Sequence, residues 1–207
     1  MMKFELEKRA LLNPKETNGA IALLDKKAKK LGSFKRFSIV FWDHPETEPK
    51  ITPYDFRVRI TGKIGLFTLK YGDWRGGGRE ENEFHFDIKE LSSVVNLMRV
   101  LGYKWGTVTH VERRNYVIQS MEIVLDKYLD DGKAILEIEK RCESKREFKL
   151  AEKAIDKVFE GLQIKPLTKA DMTEFVRYTN DKKENYFNLA KNPVEKYILL
   201  WKRKIKS

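Results

Sequence analysis

Apolar and polar residues alternate along much of this chain, which predicts a protein built mainly from β-strands. Alternate side chains of a strand point to opposite faces, so a period of two marks a strand with one buried face. The segment 54–61 is a clear case, because Phe56, Val58 and Ile60 share one face. Arg57 and Arg59 share the other. The same pattern predicts strands at 3–12, 34–43, 65–71, 79–86, 105–119, 120–128 and 132–141.

A second pattern, with apolar residues every three or four positions, predicts helices between and after these strands. They lie at about 15–31, 89–101, 143–162 and 182–204. Gly32 provides a stop for the first, and Pro193 bends or divides the last. The order of elements predicts one α+β unit, an eight-stranded closed antiparallel β-barrel with helices packed outside. We place this domain at residues 1–177 and expect 178–207 to form a basic helical extension packed on it.

Three of the predicted strands carry a pair of glutamates separated by one residue. The pairs are Glu5 and Glu7, Glu81 and Glu83, and Glu137 and Glu139. Two carboxylates at this spacing lie on the same face of a strand. Several such faces turned inward on one closed sheet would form a cage of oxygen ligands for Mg²⁺ or Mn²⁺. A fourth pair, Glu46 and Glu48, lies between Pro45 and Pro49, and we interpret it as part of a solvated loop.

The composition fits a folded protein that attracts anions. Charged residues make up 35% of the 207 residues and hydrophobic residues 41%, and the formal net charge is +11. Nucleic acid, nucleotides, polyphosphate and anionic membranes all meet that charge requirement. The single Cys142 excludes an intrachain disulfide framework. No apolar run approaches the ~20 residues of a membrane span, and the charged first segment is unlike a signal peptide, so we expect a cytoplasmic protein without a membrane partner.

The charges on the second face of the strands are sorted by sign. Acidic residues dominate the first and last predicted strands, whereas the middle strands carry Arg57, Arg59 and Lys70. A barrel covered by helices would turn its apolar face outward and this charged face inward. Buried charges need opposite partners, ions or water. A polyanion with divalent cations meets that need, because basic groups bind phosphate oxygens and carboxylates bind the metal.

This ordered series resembles the CYTH domain family, the triphosphate tunnel metalloenzymes. Glu5-Leu6-Glu7-Lys8-Arg9 is similar to the Glu-x-Glu-x-Lys motif that opens these domains, with Arg9 where the family usually has lysine. The later matching segments are Arg57-Val58-Arg59, Thr68-Leu69-Lys70, Arg79-Glu80-Glu81-Asn82-Glu83, Arg113-Arg114-Asn115-Tyr116, Leu125-Asp126 and Leu136-Glu137-Ile138-Glu139. The resemblance covers roughly residues 3–175. The family includes class IV adenylate cyclases, thiamine triphosphatases and inorganic tripolyphosphatases, and its antiparallel tunnel binds a triphosphate.

The resemblance implies that the acidic residues bind metal and the basic residues bind phosphate. The implied metal ligands are Glu5, Glu7, Glu137 and Glu139, assisted by Asp126, Glu81 and Glu83. The implied phosphate-binding residues are Arg9, Arg57, Arg59, Lys70, Arg79 and either Arg113 or Arg114. The residues expected to take part in catalysis are Glu7, Glu139, Arg59 and Lys70. Metals that bridge phosphate oxygens neutralise charge and position or activate a water for attack.

Hydrolysis of a linear triphosphate, with Mg²⁺ or Mn²⁺ as the cofactor, is the activity that we expect. The substrate is inorganic tripolyphosphate or an organic triphosphate such as thiamine triphosphate or a nucleoside triphosphate. Two alternatives stay open, a class IV-type adenylate cyclase and a module that binds polyphosphate or an RNA 5′-triphosphate without turnover. No segment is identified that would read an adenine base, which favours hydrolysis over cyclisation. The oligomeric state also stays open, with a homodimer as one option.

Overall fold

The structure consists of antiparallel strands with helices between them. The computed structural model describes residues 4–42, 54–71, 80–168, 171, 186–191, 193, 196 and 199. Its strands are β1 (Phe4–Leu12), β2 (Lys29–Trp42), β3 (Tyr54–Thr61), β4 (Ile64–Tyr71), β5 (Glu80–Asp87), β6 (Trp105–Ile118), β7 (Met121–Tyr128), β8 (Ala134–Cys142) and β9 (Tyr186–Asn188). Its helices are α1 (Pro14–Lys27), α2 (Leu91–Val100) and α3 (Phe148–Leu162).

The strands form one sheet. Its hydrogen-bonded order is β1-β8-β7-β6-β2-β3-β4-β5, and β9 pairs with the first residues of β6. The predicted α+β fold with eight antiparallel strands is therefore confirmed. No ladder among the described residues joins β1 to β5, so the predicted closure into a barrel is not confirmed.

The chain divides into two compact units, which are described separately. The first comprises Met1–Phe34, Gly72–Arg79 and Val111–Phe175, and the second comprises Lys35–Tyr71, Glu80–His110 and Val176–Ser207. The first unit thus contains β1, β7, β8, α1 and α3, whereas the second contains β3, β4, β5, β9 and α2. Strands β2 and β6 are divided between the two units.

Helix α1 begins directly after β1 because the residues at the junction cap it. The Asn13 side-chain oxygen accepts a hydrogen bond from the Glu16 backbone N–H at 3.0 Å. The Glu16 carboxylate accepts one from the Asn13 backbone N–H at 2.8 Å, which completes a capping box. Pro14 occupies the first turn, where a backbone N–H has no partner within the helix. This local sequence ends β1 and reverses the chain onto the sheet.

The core of the first unit lies between α1, α3 and one face of its strands. Because side chains alternate along β1, β7 and β8, every second residue points to the helices, and most of these residues are apolar. The buried cluster includes Leu12, Leu24, Tyr116, Ile123, Leu136, Ile138, Ile155 and Phe159. Burying an aliphatic or aromatic side chain of this size stabilises the fold by ~1.5–3 kcal/mol. The opposite face of the same strands is therefore left to polar and charged side chains.

Lys8 is a charged residue on the helix-facing side of β1. Its ammonium group lies 2.7 Å from Asp156 and 3.0 Å from Glu152, both on α3. Burial alone would lower the pKa of Lys8, but the hydrogen bonds and charges of these two carboxylates outweigh it and raise that pKa. Lys8 therefore stays charged and connects β1 to α3.

The core of the second unit lies between α2 and one face of β2 and β3. On the helix, Leu91, Val95 and Met98 recur at a spacing of three or four residues and are fully buried. The strands contribute Phe37, Ile39, Val58 and Ile60 to the same cluster. The alternate residues of β3 include Arg57 and Arg59, so this unit also has an apolar face and a charged face.

Gly65 leaves room for an aromatic ring on the apolar side of β4. A Cβ atom at Gly65 would lie 2.3 Å from two ring atoms of Phe86, the opposite residue in β5. Gly65→Ala is therefore expected to lower the free energy of unfolding by ~1–3 kcal/mol, because the ring must move. Urea denaturation measures the change. Gly32→Ala, with open space around its Cβ, is the matched control. Equal stability of the two variants would contradict this packing.

Two helix boundaries differ from the prediction. The first helix ends at Lys27 and not near Leu31, because Ala28 has extended backbone angles and β2 begins at the next residue. Leu31 continued the helical spacing by coincidence, and its side chain is exposed in β2. The long third helix begins at Phe148 and not near residue 143, after a short 3-10 turn at Lys145–Glu147.

The helix predicted at 182–204 is wrong over Tyr186–Asn188. These residues form β9, whose backbone pairs with Trp105–Thr107 at the start of β6. Three residues are too few to show a strand's alternation, so the local pattern could not reveal the pairing. Farther along, Lys196 and Leu199 are helical. Within the described part of the chain, no helix is both long and apolar enough to cross a membrane.

Candidate functional site

The register of β1 against β8 brings two of the predicted acidic pairs side by side. The opposed residues are Glu5 with Arg141, Glu7 with Glu139, and Arg9 with Glu137. Directly opposite residues of an antiparallel pair share a face. These six side chains therefore lie on the face of the first unit that points away from α1 and α3. The sequence predicted the shared face within each pair, and the register adds that the two pairs are neighbours.

Glu5, Glu7 and Glu139 form a carboxylate cluster on this face. Each residue offers one oxygen, and the three oxygens lie within 4.8 Å of one another. All three residues are half-buried. Carboxylate oxygens are the ligands that hard divalent cations prefer, so the donor set fits Mg²⁺ or Mn²⁺. The residues of the cluster can therefore hold a metal ion, as predicted for them. Glu137 is not a member of this group of three.

Carboxylates are concentrated around Glu139. Burial raises the pKa of Glu139 to about 8, and the charge of Glu5, a hydrogen bond with Glu5 and the charges of Glu122 and Glu137 also raise it. The cluster therefore retains a proton at neutral pH in the absence of metal. Because a carboxylate must be ionised to bind a metal, a cation and this proton compete for the same group.

The stability of the metal-free protein is expected to fall as the pH rises. The raised pKa of Glu139 adds stability that is complete below the ordinary value of 4.5 and is lost as the pH rises to about 8. In EDTA, the melting temperature between about pH 5 and about pH 9 should fall more steeply for wild type than for Glu139→Gln. Added Mg²⁺ should raise it most at the alkaline end, where the ligands are ionised. Parallel curves for the two proteins would contradict this expectation.

Arg9 connects the carboxylate cluster to Glu137. Its Nη2 atom lies 2.6 Å from Glu7 Oε1, and its Nε atom lies 2.5 Å from Glu137 Oε1. The Arg9 side chain is 18% exposed, so both contacts are partly shielded from water. The basic residue of the opening motif therefore binds carboxylates on both β1 and β8.

Arg113 lies on the same face as the cluster. It is opposite Asp126 in the β6–β7 ladder, and its Nε donates a hydrogen bond to Asp126 Oδ1 at 2.7 Å. Burial alone would lower the pKa of Arg113, but Asp126, Glu137 and Glu139 together raise it above its ordinary value. Arg113 is therefore a permanently charged group beside the carboxylates. Asp126, predicted to assist the metal, is its hydrogen-bonding partner.

Arg114 points to the opposite face of β6, toward α1. Its guanidinium lies 2.7 Å from Glu112 and 4.0 Å from Asp25, and the Tyr116 hydroxyl donates to Asp25 at 2.9 Å. Of the two arginines left open by the sequence, Arg113 is thus the one that shares a face with the carboxylate cluster.

The charged face of the second unit brings Arg59 and Lys70 to the same carboxylate. Lys70 Nζ lies 3.1 Å from Glu81 Oε2, and Arg59 Nη1 lies 3.8 Å from Glu81 Oε1. Arg59 Nη1 is also 4.0 Å from Glu83. The structure therefore surrounds Glu81 with predicted phosphate-binding residues. A metal-binding role for Glu81 and Glu83 stays a prediction.

Arg57 is also on this charged face, where it forms a bidentate ion pair with Asp55 of the same strand. His85 lies two residues beyond Glu83 on the same face of β5, opposite Leu66. Other predicted features lie outside the described residues, namely Arg79 among the phosphate-binding set and the loop pair Glu46 and Glu48.

Two polar residues of the first unit's charged face were not among the predicted site residues. Glu122 lies opposite Glu139 in the β7–β8 ladder and pairs with Arg141 at 3.3 Å. Asn115 lies in β6 two positions from Arg113, and its Oδ1 atom is buried with no hydrogen-bond partner among the described residues. Alternation along β6 and β7 is the sequence signal that could have placed both on this face.

Comparisons with known proteins identify the same family as the motifs. The CYTH domain model matches residues 3–173. A comparison with curated proteins gives no match. Among solved structures, the PH1819 protein from Pyrococcus horikoshii is similar with a TM-score of 0.62 and 20% identity, covering 80% of this chain and 92% of that chain. A proposed adenylate cyclase from Vibrio parahaemolyticus has a TM-score of 0.59 and 15% identity, covering 83% and 93%.

A third similar structure is HpAC1, a proposed adenylyl cyclase from Hippeastrum for which a dominant triphosphatase activity is reported. It has a TM-score of 0.54 and 15% identity, and the alignment covers 80% of this chain and 90% of that chain. At these identities the three structures bear on the fold of this chain alone. The family model confirms the resemblance that the motifs indicated.

Proposed function

Because the chain belongs to the CYTH family, we propose that it hydrolyses a linear triphosphate with a divalent metal ion as cofactor. The observation that carries the proposal is the carboxylate cluster of Glu5, Glu7 and Glu139, with oxygens within 4.8 Å of one another. Arg9 and Arg113 lie on the same face. Oxygen ligands for a metal and guanidinium groups for phosphate are the two parts that phosphoryl transfer requires of a protein.

Glu5, Glu7 and Glu139 are the residues that would hold Mg²⁺ or Mn²⁺. Three anionic oxygens on adjacent strands suit a hard cation, and the raised pKa of Glu139 indicates that a positive charge is favoured there. When bound, such a cation supplies charge neutralisation to phosphate oxygens and can activate a water. Among these ligands, Glu7 and Glu139 are our proposed catalytic residues.

The basic residues would bind and orient the triphosphate. Arg113 is suited to this role because its raised pKa keeps it charged and its guanidinium can donate to two phosphate oxygens at once. In the second unit, Arg57, Arg59 and Lys70 are the proposed phosphate-binding residues, with Arg59 and Lys70 also proposed to stabilise charge during the reaction. Each of them is paired with carboxylates in the structure. Phosphate oxygens would therefore exchange with carboxylate partners already in place.

The substrate class is inorganic tripolyphosphate or an organic triphosphate. Hydrolysis is the first candidate, and a dominant triphosphatase activity is reported for HpAC1, a protein of similar fold. Cyclisation of ATP is the second candidate, and the similar Vibrio parahaemolyticus structure is described as a proposed adenylate cyclase. A binding function without turnover, for polyphosphate or an RNA 5′ end, would use the same residues.

A product assay distinguishes these activities. Tripolyphosphate, thiamine triphosphate, ATP and triphosphorylated RNA would each be incubated with Mg²⁺ or Mn²⁺, and phosphate, pyrophosphate and cyclic AMP measured. Release of phosphate from at least one substrate, lost in EDTA, is expected. Pyrophosphate with cyclic AMP from ATP would identify a cyclase. Tight binding by calorimetry without any product would identify a binding module and contradict the hydrolase.

A further inference from the structure

Glu137 and Glu139 differ in what lies across from them on β1. Glu139 is opposite another carboxylate, Glu7, whereas Glu137 is opposite a cation, Arg9. The two glutamates are two residues apart on one face of β8 and are equivalent in the sequence pattern. The register therefore gives them different electrostatic surroundings. Glu139 has a carboxylate neighbour that a cation would stabilise, and Glu137 has a cationic neighbour already.

The contact between Arg9 and Glu137 is short and partly shielded. The Arg9 Nε atom lies 2.5 Å from Glu137 Oε1, and the two side chains are 18% and 23% exposed. Charge-assisted hydrogen bonds of this kind are stronger than neutral ones, and limited solvent exposure reduces screening. A metal that recruited Glu137 would have to compete with this guanidinium.

The guanidinium of Arg9 also spans two strands. While Nε contacts Glu137 on β8, Nη2 lies 2.6 Å from Glu7 Oε1 on β1. A planar guanidinium can donate from separate nitrogens in fixed directions, whereas the ammonium of a lysine is a single point of charge. The pair Arg9–Glu137 can therefore fix the position of Glu7, which is a member of the carboxylate cluster.

We infer that Glu137 is a positioning residue that holds Arg9 against Glu7 and is not a ligand of the metal. In this arrangement the metal ligands are Glu5, Glu7 and Glu139, and Glu137 acts on them through Arg9. The inference rests on the proposed function only for the presence of the metal. The Arg9–Glu137 pair itself belongs to the metal-free protein and can be tested without substrate.

The first test is a double-mutant cycle on the metal-free protein. Arg9→Met, Glu137→Gln and the double variant would be unfolded with urea in EDTA. The coupling expected between the two sites is about tenfold in the unfolding equilibrium constant. The effects of the two single substitutions on the unfolding equilibrium constant would be multiplied and compared with the effect of the double variant. Agreement to within about twofold would mean that the two sites are not coupled and would overturn the inference. Should Arg9→Met not fold, Arg9→Lys replaces it in the cycle, since it keeps the charge and loses the two-strand contact.

The second test measures Mn²⁺ affinity by calorimetry, without substrate, in the Arg9→Met background. If Glu137 acts through Arg9, adding Glu137→Gln to this background should change the affinity by less than about twofold, whereas adding Glu139→Gln should weaken it by about tenfold or more. Equal losses from Glu137→Gln and Glu139→Gln would make Glu137 a ligand and overturn the inference. If the first test shows coupling but the wild-type protein does not bind Mn²⁺, the proposed function is overturned. The pairing of Arg9 with Glu137 would still be supported by that result.

Discussion

Replacing Glu139 by glutamine is expected to lower metal-dependent triphosphate turnover by about a thousandfold or more. Glutamine preserves the size of the side chain and removes its charge, so the cluster loses one of three anionic oxygens while the packing of β8 is unchanged. Glu139 is central because it is opposite Glu7 in one ladder and opposite Glu122 in the other. Phosphate release from tripolyphosphate at saturating Mg²⁺ measures the loss.

Two observations separate a lost metal ligand from a lost fold. At about pH 8 in EDTA, Glu139→Gln should melt at or above the wild-type temperature, because it removes charge repulsion with Glu5 and Glu122. Glu160→Gln removes the same charge from an exposed position on α3 and should retain wild-type turnover. Wild-type turnover in folded Glu139→Gln would rule out the assigned metal site.

Arg59→Ala is expected to weaken triphosphate binding by about tenfold to a hundredfold. Its guanidinium lies 3.8 Å from Glu81 and donates to the Thr68 hydroxyl at 3.5 Å, both long contacts for a charged donor. Phosphate oxygens at ordinary hydrogen-bond distance would bind it more strongly. The Kd for tripolyphosphate, measured by calorimetry in EDTA where no turnover occurs, gives the effect directly.

The matched control for Arg59→Ala is Arg99→Ala, an exposed position in the last turn of α2 in the same unit. It removes the same charge and should shift the Kd by less than about twofold, as expected for an exposed charge screened by salt. The affinity of Arg59→Ala should also decrease with salt less steeply than that of wild type. Equal affinities of the two variants would argue against phosphate binding by Arg59.

Most strands could be predicted because each has one apolar and one charged face. The strand at 54–61 is predicted with its observed bounds, since Val58 and Ile60 are fully buried and alternate with Arg57 and Arg59. The family motif also follows from residue order along the chain, which is why the resemblance covers nearly the range that the family model matches. Local alternation was sufficient for these features.

Features set by the pairing of strands were not predicted. Alternation puts Arg113 and Arg114 on opposite faces of β6, and the ladder that opposes Arg113 to Asp126 identifies Arg113 as the one on the face of the carboxylate cluster. Glu137 and Glu139 are likewise equivalent until the register with β1 is known. Strand β9 is too short to have a pattern of its own. The deciding contact joins residues 13 positions apart for Arg113 and Asp126, and 128 positions apart for Arg9 and Glu137.

The pairing of β1 with β8 also has a consequence for the order of events in folding. The Arg9–Glu137 contact joins residues separated by 128 positions, so the chain between them must be looped before the carboxylates can meet. Closing so long a loop carries a large entropic penalty, and non-local pairing of this kind slows folding. During synthesis, β1 leaves the ribosome long before Ala134–Cys142 exists to pair with it. Cation binding at the proposed metal site should therefore be a late event, absent from any nascent chain that stops short of β8.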